Sequence, residues 1–382
     1  MTPPLVSGRL PLRPELSGTA PYGAPQLDVP VLLNVNENPY PPAPGVVDTI
    51  TEAVRSAATG LNRYPDRDFL ALRSDLAAYL GTESGVSLAP EQVWAANGSN
   101  EVMLHLLQAF GGPGRTAVSF APTYSMYPEY ARDTHTRWVV GRRADDFTLD
   151  PDHARAVIAR ERPSVVLLAS PNNPTGTALP AATVEAVCEA ALGADVDGTG
   201  APAVVVVDEA YGEFRRAGTP SALELLDRYP NLAVSRTMSK AFALAGARVG
   251  YLAASRELVD ALRVVRLPYH LSAVTQAVAR AALAHSTELL AQVDTLRAER
   301  DATVAWLRGR HLPDGRPLEV AASDANFVLF GRFDERHALW QGLLDRGVLI
   351  RETGPDGWLR VSIGTGKEMT AFKDALVEVA GL

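Results

Sequence analysis

Lys240 sits in the run Arg236-Thr-Met-Ser-Lys-Ala-Phe-Ala-Leu-Ala-Gly-Ala-Arg248, with an arginine eight positions after it. The small and apolar residues from Ala241 to Gly246 would desolvate its amine and bring the neutral, nucleophilic form within reach. Just upstream, four valines, Val204 to Val207, lead into Asp208-Glu-Ala-Tyr211. This is how a fully buried strand delivers an acid to its carboxyl end. An acid, a lysine and an arginine in this order can hold an anionic, nitrogen-containing cofactor by a covalent bond. Each has a plainer reading too: the lysine as a solvated surface charge, Arg248 as the partner of a surface carboxylate.

The elements that would position these groups alternate. Strand patterns at Gln92 to Ala96, Thr116 to Phe120, Ser164 to Ala169, Val204 to Val207, Asn231 to Ser235 and Arg248 to Ala253 are each flanked by polar loops, and amphipathic segments run near Gly45, from Leu70 to Leu80 and from Val102 to Phe110. Repeated strand, loop and helix units predict an α/β fold, a mostly parallel sheet between helices, with ligands gathering at the strands' carboxyl ends. Beyond about residue 270 the pattern changes to one long helical stretch, Ser272 to about Arg308, then short strands and helices. A smaller α+β domain suits that pattern. The proline-rich start reads as an extended arm. The expected division is 1–43, an arm joining the small domain; 44–270, a large domain; and 271–382, the small domain.

Several motifs follow strands. Asn97-Gly-Ser-Asn-Glu101 offers backbone N–H groups, Ser99 and a helix start, which together suit an anion. Tyr124 could stack on a flat ring or simply pack. Ser170-Pro-Asn-Asn-Pro-Thr-Gly176 presents Asn173. Asp208 could be a metal ligand of a nucleotide hydrolase, but those need a phosphate loop ending in Gly-Lys-Ser or Gly-Lys-Thr, which this chain lacks. With pyridoxal phosphate the acid has a defined role, pairing with the pyridine nitrogen and keeping it protonated, so that the ring can accept electrons. Tyr211 or Asn173 could then hold the ring's phenolic oxygen, and Arg248, Thr237 and Ser239 its phosphate. Gly111-Gly-Pro-Gly114 follows a helix and reads as a helix stop. Arg351 and Arg360 each follow a β-like run and could clamp a substrate anion.

Composition narrows the classes. A formal charge of −8 over 382 residues argues against a nucleic-acid partner. Apolar runs stop well short of a membrane span, no secretory signal is visible at the start, and the expected location is the cytoplasm. The single cysteine, Cys188, lies in a helical pattern and reads as a buried small hydrophobe. Seven scattered histidines give no helical metal pair, so no metal is expected.

The motifs named above, together with Asn34-Val-Asn-Glu-Asn-Pro39, Tyr64-Pro-Asp66 and Leu359-Arg-Val-Ser-Ile-Gly364, occur in the order seen in fold-type I pyridoxal phosphate aminotransferases. Within that family the chain resembles the histidinol-phosphate aminotransferases, of the actinobacterial kind, from about Arg13 onward. The resemblance implies that Lys240 bonds to the cofactor and shuttles a proton, Asp208 pairs with the ring nitrogen, Asn173 and Tyr211 hold the phenolic oxygen, and Tyr124 stacks. The phosphate cup would be Ser99, Asn100, Thr237, Ser239 and Arg248, with Tyr64 from a partner subunit, hence a homodimer with shared sites. Asn100 stands where the family often has Asp. Tyr22, Asn36, Arg351 and Arg360 match substrate-contacting positions. The implied substrates are histidinol phosphate and the glutamate/2-oxoglutarate pair. An aromatic aminotransferase and a phospho-amino-acid decarboxylase are the rival enzymes, and an effector-binding module fused to a DNA-binding domain is the rival class.

Overall fold

The computed structural model describes residues 11–382; residues 1–10, the beginning of the expected arm, lie outside the described residues. After a short strand at Val31–Leu32 (β1) come helices Pro44–Ala58 (α1) and Leu70–Ser84 (α2). The central sheet takes in Val93–Ala96 (β2), Thr116–Ala121 (β3), Arg137–Arg142 (β4), Val165–Ala169 (β5), Val204–Asp208 (β6), Leu232–Thr237 (β7) and Gly250–Ala254 (β8). Its order is β2-β8-β7-β6-β5-β3-β4. Strands β3 to β7 run parallel to one another, while β8 is antiparallel to both β7 and β2. Helices Ser99–Phe110 (α3), Tyr127–Asp133 (α4), Pro151–Glu161 (α5), Ala181–Leu192 (α6) and Arg256–Val265 (α7) make the crossovers and the cover.

The centre of the sheet follows from composition. Every residue of β6 is buried, and Val205 to Val207 are fully so. Each such side chain withdrawn from water is worth about 1.5–3 kcal/mol, enough to place this run at the middle of the sheet and not at its edge. The sequence pattern overlooks β4, and the reason is its position. It is an edge strand whose residues are partly or fully exposed, so it carries no apolar run.

The second half holds helices Ala273–Ala284 (α8) and Ser286–Arg308 (α9), then strands Glu319–Val320 (β9) and Phe327–Gly331 (β10), helix Arg336–Asp345 (α10), strands Val348–Leu349 (β11), Arg351–Glu352 (β12) and Leu359–Ser362 (β13), and helix Gly366–Ala380 (α11). Strands β12-β13-β10-β9 form an antiparallel sheet, and β1 pairs in parallel with β11. The arm is thus hydrogen-bonded to the chain's last quarter. The expected single helix from Ser272 to Arg308 is two. The break falls at His285, whose backbone leaves the helical region (φ −110, ψ 21) while its ring meets Thr49 Oγ1 at 2.9 Å and Glu288 at 3.2 Å. Cys188 is buried in α6, where burial pushes its thiol up to about 12. Among the described residues no helix is long and apolar enough to cross a membrane.

Candidate active site

The carboxyl ends of β3, β5, β6 and β7 open into a cavity of about 1000 Å³, lined there by Ala121, Ala169, Asp208 and Thr237. Lys240 lies in the turn after β7, its amine donating to the backbone oxygen of Val35 at 3.1 Å. Burial, with Arg360 and Arg248 nearby adding repulsion, lowers its pKa to about 8. The amine is therefore poised near neutrality, which a solvated lysine is not.

Asp208 closes β6, in register with Ala169 and Ser235. Its carboxyl accepts from the Ala210 N–H at 3.2 Å and from the Tyr127 hydroxyl at 3.0 Å, and burial lifts its pKa to about 6. Tyr211, three residues on, is buried; its oxygen accepts from Asn36 Nδ2 at 3.0 Å, which leaves its own hydrogen free for the cavity. Asn173 uses its oxygen to accept from Arg360 Nη1 at 2.5 Å, and its amide N–H₂ makes no hydrogen bond among the described residues. Two donors are thereby left without acceptors beside the lysine.

A second cluster suits an anion. Helix α3 begins at Ser99, three residues earlier than its apolar pattern suggests, so Ser99 and Asn100 belong to the first turn with N–H groups unspent. Gly98 precedes it at φ +87, and a Cβ there would strike the Arg248 guanidinium. Gly250 lies pressed against the backbone of Gly98 and Ser99, where a Cβ has no room. Thr237 accepts from the Ser239 N–H at 3.1 Å, and Arg248 reaches Ser239 Oγ at 3.4 Å. Among the described residues no carboxylate lies within ion-pair distance of Arg248, so the surface-pair reading of this arginine fails.

Arg360, on β13, is 6% exposed, stacked over Phe327 at 5.1 Å and hydrogen-bonded through Nη2 to Asn34 O at 2.9 Å. Its Nε is buried without a partner, and Arg351 faces it across the β12–β13 pair. Tyr22 lines the mouth, where it accepts from Ser125 Oγ at 3.1 Å. Tyr124 lines the wall with its ring edge-on to Tyr127.

The sequence model of the family described as aminotransferase class I and II matches residues 29–376. The chain belongs to that family. It is 59% identical over 98% of its length, and 97% of the relative's, to a histidinol-phosphate aminotransferase of Bifidobacterium longum. It is 61% identical to one of Thermobifida fusca, covering 97% and 96% of the two chains. Among solved structures it resembles a histidinol-phosphate aminotransferase from Sinorhizobium meliloti in complex with pyridoxal 5′-phosphate, at a TM-score of 0.78 and 27% identity over 92% and 91% of the chains. A Thermus thermophilus aspartate aminotransferase mutant aligns at 0.77 and 25%, over 97% and 99%.

In this aminotransferase the cavity gathers every site residue named from the sequence except Tyr64. Tyr64 is 79% exposed and stacked on Tyr269 at 4.4 Å, outside the cavity. Asn36 lines the cavity, yet both ends of its amide are engaged: Nδ2 on Tyr211 and Oδ1 with Ser362 Oγ at 2.9 Å. Three features escaped the sequence reading. The first is Tyr127, and the second is the Val35 carbonyl under the lysine. The third is Arg236, fully buried and bound by Glu209 at 2.7 Å, Glu213 at 3.0 Å and Glu83 at 3.1 Å. A Tyr three residues after Tyr124, Glu209 beside Asp208 and Glu213 five residues after it were the available signals, but each also fits ordinary packing or a solvated face.

Proposed function

We propose that this chain is a pyridoxal phosphate-dependent histidinol-phosphate aminotransferase. It would move the amino group of L-histidinol phosphate to 2-oxoglutarate, giving imidazole acetol phosphate and L-glutamate, a step of histidine biosynthesis. The observation that carries the reading is the convergence of the Lys240 amine, the Asp208 carboxyl and the guanidinium groups of Arg248 and Arg360 on one cavity. The groups present fit the cofactor. Among the described residues Asp208 meets no cation and so can take a protonated ring nitrogen; Tyr211 and Asn173 offer donors for a phenolic oxygen; the glycine-lined turn beside Arg248 suits a phosphate. When bound, the cofactor supplies an electron-accepting ring in conjugation with the substrate's α-carbon.

The protein's own part is proton handling and orientation. Lys240 Nζ, with a pKa of about 8, can take a proton from the substrate's α-carbon and release it again, because neither form is strongly favoured. Val35 O holds the amine when it is not otherwise bonded. Arg360, with Arg351 opposite, would receive the phosphate of one substrate and the side-chain carboxylate of the other, since a guanidinium fork matches both anions.

The reading extends to a homodimer with shared sites. Tyr64 and Tyr269, with Leu61, Leu70, Val264 and Leu267, present exposed apolar surface on two segments tied by Asp68 to Arg263 and Arg266. A second copy seated there would cover this surface and bring Tyr64 to a phosphate cup it cannot reach in its own chain. The arm with residues 271–382 as a small domain, residues 44–270 as a large one, and a cytoplasmic setting complete the proposal. The test is a coupled assay on purified protein comparing histidinol phosphate with phenylalanine, each with 2-oxoglutarate. Higher kcat/KM for phenylalanine, or carbon dioxide release without a keto acid, would overturn the substrate assignment.

A further inference from the structure

Asp208 and Glu209 are neighbours with opposite surroundings. Glu209 points into the interior, where Arg236, Arg215, Ser221 and the Ala222 N–H saturate it. Asp208 has no cation at all among the described residues; beyond the Ala210 N–H its one side-chain partner is the Tyr127 hydroxyl, donated to Oδ2 at 3.0 Å. Tyr127 stands in the first turn of α4 with no exposed surface. Burial, and the charge of Asp208 beside it, hold this phenol un-ionised, so it remains a donor at every working pH. The other titratable groups facing Asp208 are Glu209 and the phenols of Tyr124, Tyr130 and Tyr211, and burial keeps these phenols neutral too. Behind Tyr127 lies Arg143, whose guanidinium is spent on the backbone oxygens of Phe120, Phe147 and Ala169.

We infer that Tyr127 is a positioning residue: its hydroxyl fixes the rotation of the Asp208 carboxylate and, by making that carboxylate a weaker base, keeps the shared proton on the cofactor's ring nitrogen. The inference rests on the reading of Asp208 as the ring-nitrogen partner given above. Its physical basis is that a hydrogen bond donated to a carboxylate favours the charged form. A bond to a charged group in a buried site shifts the proton's partition by about ten- to a hundredfold. The step would balance as one proton transfer: an O–H bond on the Asp208 carboxyl is exchanged for an N–H bond on the ring nitrogen, and no other reactant is needed.

Tyr130 supplies an internal control. It lies one turn further along α4, is 5% exposed, and its hydroxyl has no partner among the described residues. The experiment binds pyridoxamine 5′-phosphate, which forms no bond to Lys240, to the cofactor-free protein, with the ring nitrogen isotopically labelled and observed by NMR. Wild type and Tyr130→Phe are expected to show a protonated ring nitrogen. Tyr127→Phe should move the resonance toward the unprotonated position and weaken binding about tenfold or more. On an Asp208→Asn background Tyr127→Phe should change neither quantity, and Tyr127→His, which returns a donor, should restore part of the signal.

A folded Tyr127→Phe protein with the wild-type resonance would overturn the inference, as would an effect that persists without the Asp208 carboxylate. Should Tyr127→Phe fail to fold, Tyr127→Met takes its place as the variant without a donor, and Tyr127→His is read against it. An unprotonated ring nitrogen in the wild type would instead overturn the reading of Asp208 itself, so the two failures are distinguishable.

Discussion

Truncating Arg360 to alanine should damage both halves of the transamination alike. A guanidinium has five N–H donors. Two are used by the protein, on Asn173 Oδ1 and Asn34 O, while Nε–H is buried without a partner and each terminal nitrogen keeps a second hydrogen. Burial lowers the pKa to about 10, so the group still carries its charge at neutral pH. Two charge-assisted bonds from these free donors to a substrate anion are worth about 3–6 kcal/mol together. That corresponds to a fall in kcat/KM of about 10² to 10⁴ for glutamate and for histidinol phosphate. Arg360→Lys should recover part of it, because an ammonium keeps the charge and loses the planar fork. Single-turnover absorbance changes of the loaded enzyme, recorded with each amino donor separately, give the two values. Cofactor affinity should be measured alongside, since Asn173 loses a partner in the variant. A loss confined to glutamate, with histidinol phosphate turned over normally, would refute a shared anion site.

Three other outcomes are expected. Lys240 is neutral above about pH 8 and protonated below it, so capture of pyridoxal phosphate by the cofactor-free protein, followed by its visible band, should accelerate as pH rises through that value; a midpoint near that of a free lysine would contradict the burial argument. Arg236→Met removes the charge that holds Glu83, Glu209 and Glu213 and should cost about 3–5 kcal/mol in urea unfolding, because the acids are left buried with too few partners. Arg236 favours the charged forms of Glu83 and the buried Glu213, and without it both would ionise only at raised pH, so the deficit should grow from acidic to alkaline solution; a deficit that shrinks instead would contradict the assignment. Finally, mixing inactive Lys240→Ala and Tyr64→Ala chains under exchange should restore activity at about a quarter of the sites, as random pairing of subunits with shared sites requires; no recovery, with exchange demonstrated, would mean that Tyr64 serves no partner.

How much of this was legible beforehand depended on whether a residue's role is set by its neighbours in sequence. The four valines and Asp208 could be placed because a fully apolar run followed by an acid has few homes in an α/β fold. Lys240, Arg248 and the Asn97 turn were readable for the same reason: small residues, hydroxyls and a helix start are local signals. Strand β4 was not, since an edge strand that buries little shows no period. The break at His285 coincides with a hydrogen bond to Thr49, far away in the chain, which no local pattern could announce. The Arg236 cluster was also invisible, because charged residues in a sequence look solvated until three acids from α2, the end of β6 and the segment after it are seen around one guanidinium.

The arm brings the groups proposed for substrate choice and those proposed for cofactor chemistry onto one short segment. Leu33 O accepts from the Ser362 N–H at 2.9 Å, which seats the segment against β13. The next three residues then reach three functional groups in turn: Asn34 O holds Arg360, Val35 O holds Lys240, and the Asn36 amide holds Tyr211. Asn36 manages this in the left-handed region, φ 56, which asparagine tolerates better than most residues. Its amide oxygen and its backbone oxygen are tied at the same time to Ser362 and Asn326. The backbone that holds Arg360 at Asn34 is thus continuous with the two residues that bond to the Lys240 amine and to Tyr211. Were Arg360 to take the substrate anion as proposed, a shift of its guanidinium would bear on the same segment that holds the Lys240 amine.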